Sequence, residues 1–406
     1  MLETVALYIH IPFCWRKCHY CDFISFAGRR ELWPAYLRVL LQEIRAMPPL
    51  KPRTLYVGGG TPTIWPAEYL ASLVQAAREV GLPEAAEVTV EANPGTVNLE
   101  KLVRLRRAGY NRLSLGVQST FNANLHLLGR SHNYNQAKAA ISWAREAGFA
   151  NLNVDMIYGL PGQSLSGWLR DLERALALNS EHLSAYALSL EEGTPLARAV
   201  AAGVLPSPDG DLQADMYEAT EDMLTAAGYE HYEISNWAKN DRSQESGNGI
   251  STPDSWLQSP VPFTCQHNLI YWHNEPYLGL GVATHSFLEG KRFARIVDPI
   301  AYISAEPAAK VAFSETIDKP LEMAETAILA LRLLAGLSRR RFCNRFGIDP
   351  LAPYWQPFMW AQSEGLLTIN VDSISLTRRG RLLSNEVFER LLPAGEGPVS
   401  SAYVLQ

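Results

Sequence analysis

LYIHIPFCWRKCHYCDF, residues 7–23, is the stretch on which the reading of this chain turns. It continues a β-branched and aromatic run, VALYIHI at 5–11, which has the make-up of a buried strand. The run empties into a loop carrying Cys14, Cys18 and Cys21, three of the chain's five cysteines, with Phe23 two positions beyond the last. An odd count, with three thiols too closely spaced to pair comfortably, argues against a secreted disulfide framework. A reducing compartment and a metal site fit better.

Working outward, five more runs read as strands: RTLYVGG at 53–59, EVTVEA at 87–92, RLSLGV at 112–117, NLNVDMIYG at 151–159 and HLSAYALSL at 182–190. Helical periodicity fills much of the space between them, at 31–47, 66–81, 99–109 and 166–178, and most of these stretches close on a glycine. Six strand-then-helix units with near-continuous apolar strands imply an α/β fold with a parallel sheet covered on both faces. A barrel of (β/α) units, complete or partial, is expected, with its chemistry where strands end and loops begin.

Near residue 238 the texture changes. KNDRSQESGNGISTPDSWLQSPVP is rich in Ser, Asn, Gly and Pro and reads as a loop. The expected division is a barrel core at 1–238, a polar insertion at 239–264, a segment at 265–317 that completes the core, a module at 318–393 and a tail at 394–406. In the module, LEMAETAILALRLLAGL and YWQPFMWAQSEGLL read as helices joined by SRRRFCNRFG, followed by a hairpin-like LTINVDSISLT and a last helix. That order is winged-helix-like.

Of the 406 residues 47% are hydrophobic and 19% charged, with neither a membrane-length apolar run nor a charged-then-apolar leader, so a soluble, cytoplasmic protein is expected. The net charge is −6, and the arginines at 104–107 and 339–341 form short clusters rather than a stripe. Nucleic acid is not the favoured partner, and the module is read as a protein-contact element.

Thiolates at CxxxCxxC spacing on a loop after the first strand can converge on one inorganic centre. A structural zinc usually takes four protein ligands, whereas an iron–sulfur cubane on three cysteines leaves one iron open to a ligand. A zinc clip or free buried cysteines remain the bland readings. The next strand runs into GGGTPT at 58–63, where glycines let backbone approach a ligand closely.

CxxxCxxC with an aromatic before its last cysteine, followed by GGGTP, resembles the radical S-adenosylmethionine enzymes and implies a partial (β/α)6 barrel. By that resemblance Cys14, Cys18 and Cys21 hold a 4Fe–4S cluster whose open iron takes S-adenosylmethionine. Tyr20 would lie near its adenine, Tyr8 would contact its methionine, Gly59, Gly60 and Thr61 would receive its amino group, and Glu91 would bind its ribose. Gln118, Arg130 and Asp155 match positions that finish the pocket. Read singly, Glu91 or Asp155 could equally cap a following helix.

Over about residues 4–290 the resemblance narrows to the group that contains oxygen-independent coproporphyrinogen III oxidase and the HemW-type haem chaperones. The oxidase pattern has a fourth cysteine, CxxxCxxCxC, and a long segment before strand one; here Phe23 takes that cysteine's place and strand one starts near Met1. HNxxYW at His267, Asn268, Tyr271 and Trp272 resembles the chaperones' haem-binding element. An imidazole is an ordinary axial ligand, and Tyr and Trp offer broad amphipathic surface to a macrocycle. Cys265 competes as a thiolate ligand, and His231, His273 and His285 are further candidates, each with a structural reading beside it. The expectation is therefore a haem chaperone with haem, S-adenosylmethionine and a 4Fe–4S cluster, whose partners are haem-requiring apoproteins, respiratory-chain haemoproteins among them. Membrane contact would be at most peripheral, and a homodimer is among the expected states. The alternative is the oxidase, which decarboxylates propionate side chains of coproporphyrinogen III.

Overall fold

The computed structural model describes residues 3–240 and 261–393, so most of the 239–264 insertion and all of the 394–406 tail lie outside the described residues. Six parallel strands stand side by side in chain order: β1 (Thr4–Ile11), β2 (Lys51–Gly59), β3 (Glu87–Ala92), β4 (Arg112–Gln118), β5 (Asn151–Tyr158) and β6 (His182–Ala187). The first five are followed by helices α1 (Trp33–Arg45), α2 (Ala67–Glu79), α3 (Leu99–Arg107), α4 (Tyr134–Glu146) and α5 (Leu165–Leu176).

Strand alternation divides the sheet into two chemistries. Leu7, Ile9, Leu55, Val57, Val88, Val90, Leu113, Leu115, Leu152 and Val154 have no exposed surface and belong to the main core cluster with the helices. The alternate positions are polar: Tyr8, Tyr56, Thr89, Glu91, Ser114, Asn153, Asp155, His182 and Ser184. Most of these bond to a neighbour, as in Tyr56 to Glu91 at 2.8 Å and Asn153 to Ser114 at 2.8 Å, while Thr89 Oγ1 has no partner among the described residues. The concave side of the sheet is thus a network of buried polar groups, each partner offsetting another's desolvation.

The sheet does not close; it has twelve strands. The hairpin β7 (Tyr229–Glu233) and β8 (Asn236–Lys239) extends it antiparallel beyond β6. Beyond β1 it continues with β9 (Tyr277–Leu280), parallel to β1 in the register Ala6 with Tyr277, then antiparallel β10 (His285–Leu288), β11 (Lys291–Arg295) and β12 (Val311–Thr316). Four strands between Tyr277 and Thr316 thus form one flank of the sheet.

The C-terminal module packs α8 (Lys319–Leu331), α9 (Arg339–Phe346) and α10 (Trp355–Ser363) with a three-stranded sheet of β13 (Leu337–Ser338), β14 (Leu367–Ile369) and β15 (Ser373–Leu376) around its own apolar cluster. SRRRFCNRFG, read as a connector, contributes α9. Ser338 caps its start, Gly347 ends it at φ 77°, and Phe342 and Phe346, one turn apart, are buried. Arg339 pairs with Asp349 at 2.9 Å and Arg341 with Glu275 at 3.1 Å. Just after α8 the backbone bridges β7: Ile234 N donates to Arg332 O and Leu334 N to Tyr232 O, both at 3.1 Å.

Candidate functional site

The cysteine loop leaves β1 and is fastened from several sides. His19 N donates to Leu128 O and its Nδ1 meets Leu127 O at 2.9 Å; Arg16 donates to Gly129 O at 2.7 Å. Cys14, Cys18 and Cys21 then line one cavity of about 430 Å³ at the C-terminal ends of the strands. Among the described residues no group of three or more His, Cys, Asp or Glu is gathered to hold a single metal ion. A multinuclear cluster asks for something else, since each thiolate takes a different iron and the ligands line a space rather than meet at a point. Burial pushes the Cys21 thiol up to about 11 and raises Cys14 as well, so deprotonation of both depends on a cationic centre.

The cavity is shaped for a ligand. Gly59 has φ 113°, and a Cβ there would meet the His10 ring at 2.5 Å; a Cβ on Gly60 would meet Phe13 O at 2.7 Å and Cys14 Sγ at 3.0 Å. Thr61 Oγ1 lies 3.5 Å from Cys14 Sγ, and Arg130 reaches Cys18 Sγ at 3.3 Å while donating to Gly116 O at 2.6 Å. Gln118 holds a left-handed φ of 68°, and its Oε1 is buried without a hydrogen-bond partner among the described residues. A strained backbone and an orphaned acceptor together mark a functional position. Glu91 accepts from Gly59 N at 3.0 Å as well as from Tyr56, and burial raises its carboxyl to about 7. Asp155 is held by Ser114 and Asn153 and is also raised by burial. Tyr20 packs beside Leu128, Ile157 and Leu160 and lines the same wall.

A second cavity of about 510 Å³ adjoins the first and shares Phe23, Tyr56, Gly59, Glu91, Tyr186 and Ala187 with it. One of its walls is α7 (Gln266–Trp272). The helix N-terminus is fixed by the Glu87 carboxylate at the start of β3, which accepts from Gln266 N and His267 N at 3.0 Å each. That anchorage turns His267 into the concave polar face. Its ring lies 5.1 Å from that of Tyr56, Nδ1 is 2.7 Å from Thr54 Oγ1, and Nε2 is 2.9 Å from Tyr271 Oη. Burial lowers His267 to about 3, so the imidazole is neutral. Asn268, Tyr271 and Trp272 line the same cavity, as does Tyr8. Tyr8 Oη meets His10 Nδ1 at 2.9 Å.

Cys265 is buried against Glu87 at 3.7 Å, its thiol pushed up to about 12 by burial, and it does not line the cavity. His285 does. His273 is engaged by Arg341 at 2.8 Å, and His231 pairs with Glu221 at 3.0 Å and stacks on Trp237. Phe23 is 47% exposed and sits on the wall common to both cavities rather than in the core. Several lining residues escaped the sequence reading. Tyr56 was findable, since it shares a strand face with Gly58 just before the glycine run; Tyr186, Glu233 and Arg332 carry no local signal.

The Radical SAM superfamily model matches residues 8–175, and the HemN C-terminal domain model matches residues 317–383. The chain is 35% identical to the heme chaperone HemW of Bacillus subtilis, covering 95% of this chain and 99% of that protein. It is 34% identical to the heme chaperone HemW of Escherichia coli, covering 96% and 99%. Its fold is similar to that of coproporphyrinogen III oxidase (HemN) from Escherichia coli, a radical SAM enzyme, with a TM-score of 0.79 at 24% identity over 96% of this chain and 90% of that one. Superfamily membership implies a 4Fe–4S cluster and S-adenosylmethionine, and the thiols, glycine cradle and orphaned Gln118 acceptor fit them. With identity of this order sustained over nearly its whole length, the chain belongs to the HemW family of haem chaperones within the radical SAM superfamily.

Proposed function

We propose that the protein binds haem and passes it to haem-requiring apoproteins, with a 4Fe–4S cluster and S-adenosylmethionine held alongside. Cys14, Cys18 and Cys21 would hold the cluster, and Tyr8, Tyr20, Gly59, Gly60, Thr61, Glu91, Gln118, Arg130 and Asp155 the cosubstrate. The cluster would supply one-electron chemistry to the bound S-adenosylmethionine. The observation that carries the haem reading is the second cavity, where a neutral imidazole, a tyrosine and a tryptophan from one short helix border a space next to the cysteine cavity.

His267 is the first candidate for the iron, and Tyr271 is the group it would have to leave, because Tyr271 Oη holds the cavity-side nitrogen. Cys265 is disfavoured by its burial against a carboxylate. Residues 1–238 and 265–317 would act as one body carrying the cysteine cavity and most of the second, and 318–393 as a second body that adds Arg332 to the second cavity's wall. Respiratory-chain apoproteins as acceptors would bring the protein to a membrane through the acceptor; among the described residues no helix is long and apolar enough to cross one.

The test is an anaerobic haem titration of cluster-reconstituted protein, read in the Soret region, beside incubation with coproporphyrinogen III, a reductant and S-adenosylmethionine. Saturable haem binding without decarboxylated product is expected. Multiple-turnover formation of protoporphyrinogen IX would overturn the chaperone reading and make the chain a decarboxylase.

A further inference from the structure

The second cavity has a charge asymmetry that the chemistry of its aromatic wall does not explain. Among the described residues lining it, Arg332 is the one arginine or lysine. It comes from the C-terminal module, on the turn that leaves α8, and the backbone bridge of Glu233 with Leu333 fixes it beside β7. Its guanidinium rests 4.6 Å over the Trp272 ring, the last residue of the haem-motif helix. The cation–π contact orients the plane but supplies no acceptor, and Arg332 Nε is buried with no hydrogen-bond partner among the described residues.

The neighbouring anion is incomplete too. Glu233 is fully buried on the same wall; Asn236 donates to its Oε1, while Oε2 has no hydrogen-bond partner among the described residues. A guanidinium and a carboxyl side by side, each with an unsatisfied buried atom, would ordinarily satisfy one another. Arg332 adjoins the Glu233–Leu333 bridge, and the two groups make no ion pair among the described residues, so the guanidinium has a donor for a third group.

We propose that Arg332 is the anchor for a carboxylate of the ligand in this cavity, which on the haem reading above is one propionate of haem. A guanidinium can grip a carboxylate through two parallel hydrogen bonds, which fixes direction as well as adding affinity. Because haem carries two propionates and the wall one guanidinium, binding is directional: one propionate faces Arg332 and the other meets neutral donors or solvent. Burial raises the Glu233 carboxyl, while Arg332 beside it acts in the opposite direction.

The experiment compares haemin with haemin dimethyl ester, titrated into the full-length wild type, Arg332→Gln and Arg332→Lys and followed in the Soret region. The wild type is expected to bind the diacid about ten- to a hundredfold more tightly than the ester, the range for hydrogen bonds to a charged group. Arg332→Gln should remove most of that preference while leaving ester affinity in place, and Arg332→Lys should recover part of it. Equal wild-type affinity for acid and ester overturns the anchor and leaves haem binding standing. So does an equal loss of both ligands in Arg332→Gln. Binding of neither by the wild type overturns the haem reading and the anchor with it.

Discussion

The two adjoining cavities are built by opposite strategies. The cysteine cavity is assembled from the ends of consecutive parallel strands and the loop after β1, so its ligand-facing groups arrive in chain order. The second takes residues from β1, β2, the β7–β8 hairpin, α7, β9 and the turn after α8, elements brought together by late, non-local pairing. In the first, Gln118 presents an orphaned acceptor; in the second, the haem-motif histidine is already satisfied within the Thr54–His267–Tyr271 chain, although Arg332 Nε and Glu233 Oε2 have no hydrogen-bond partner among the described residues. A site for a resident cofactor can be open and waiting, whereas a site for cargo that must leave gains by having internal partners to return to.

The largest effect expected is the loss of the cluster. Replacing Cys14, Cys18 and Cys21 together with Ala should abolish the visible absorbance of anaerobically reconstituted protein while the fold, read by circular dichroism, persists. Retention of the absorbance would mean that the first cavity is not the cluster site.

The next separates fit from ligation in the second cavity. His267→Ala removes a buried ring and strands Thr54, costing about 2–4 kcal/mol of stability and shifting or weakening the haem Soret band. Tyr271→Phe frees Nε2 instead, so haem should bind at least as tightly with the Soret position kept. If His267→Ala leaves the spectrum and affinity unchanged, the iron ligand lies elsewhere on the wall, with His285 first to examine.

The smallest concerns Glu91, on the wall both cavities share. Its carboxyl sits near 4.5 in the unfolded chain and about 7 in the fold, so the folded state binds the proton more tightly. The stability this confers is complete below about pH 4.5 and is lost as pH rises through 7, on the order of 3 kcal/mol in all. In cluster-free protein, Glu91→Gln should therefore lose less melting temperature than the wild type between pH 5 and pH 8. Parallel profiles would show that Glu91 is not the group responsible.

How legible all this was follows the same division. The alternation in EVTVEA gives β3 at its observed bounds, and the cysteine loop with GGGTPT names the first cavity, because both signals are local. Arg332 and Glu233 could not be read, since nothing in either segment encodes the bridge that sets them side by side. SRRRFCNRFG was legible in part: it reads as the join between two helices, but Phe342 and Phe346 at helical spacing between a serine cap and a glycine stop spell α9. HNxxYW could be recognised as a motif, yet its anchorage on Glu87 depends on a residue in a distant strand.

Strand β1 stands in the interior of the sheet, but its partner β9 is made only after most of the chain. At roughly 5–20 residues per second of synthesis, β1 waits on the order of tens of seconds with β2 as its sole neighbour and one edge exposed. Every residue that lines the cysteine cavity precedes β7 in the chain, whereas the second cavity must wait for Arg332. A nascent chain can therefore gather the three thiols before it has walls for haem, and the order of synthesis favours loading the cluster before the cargo.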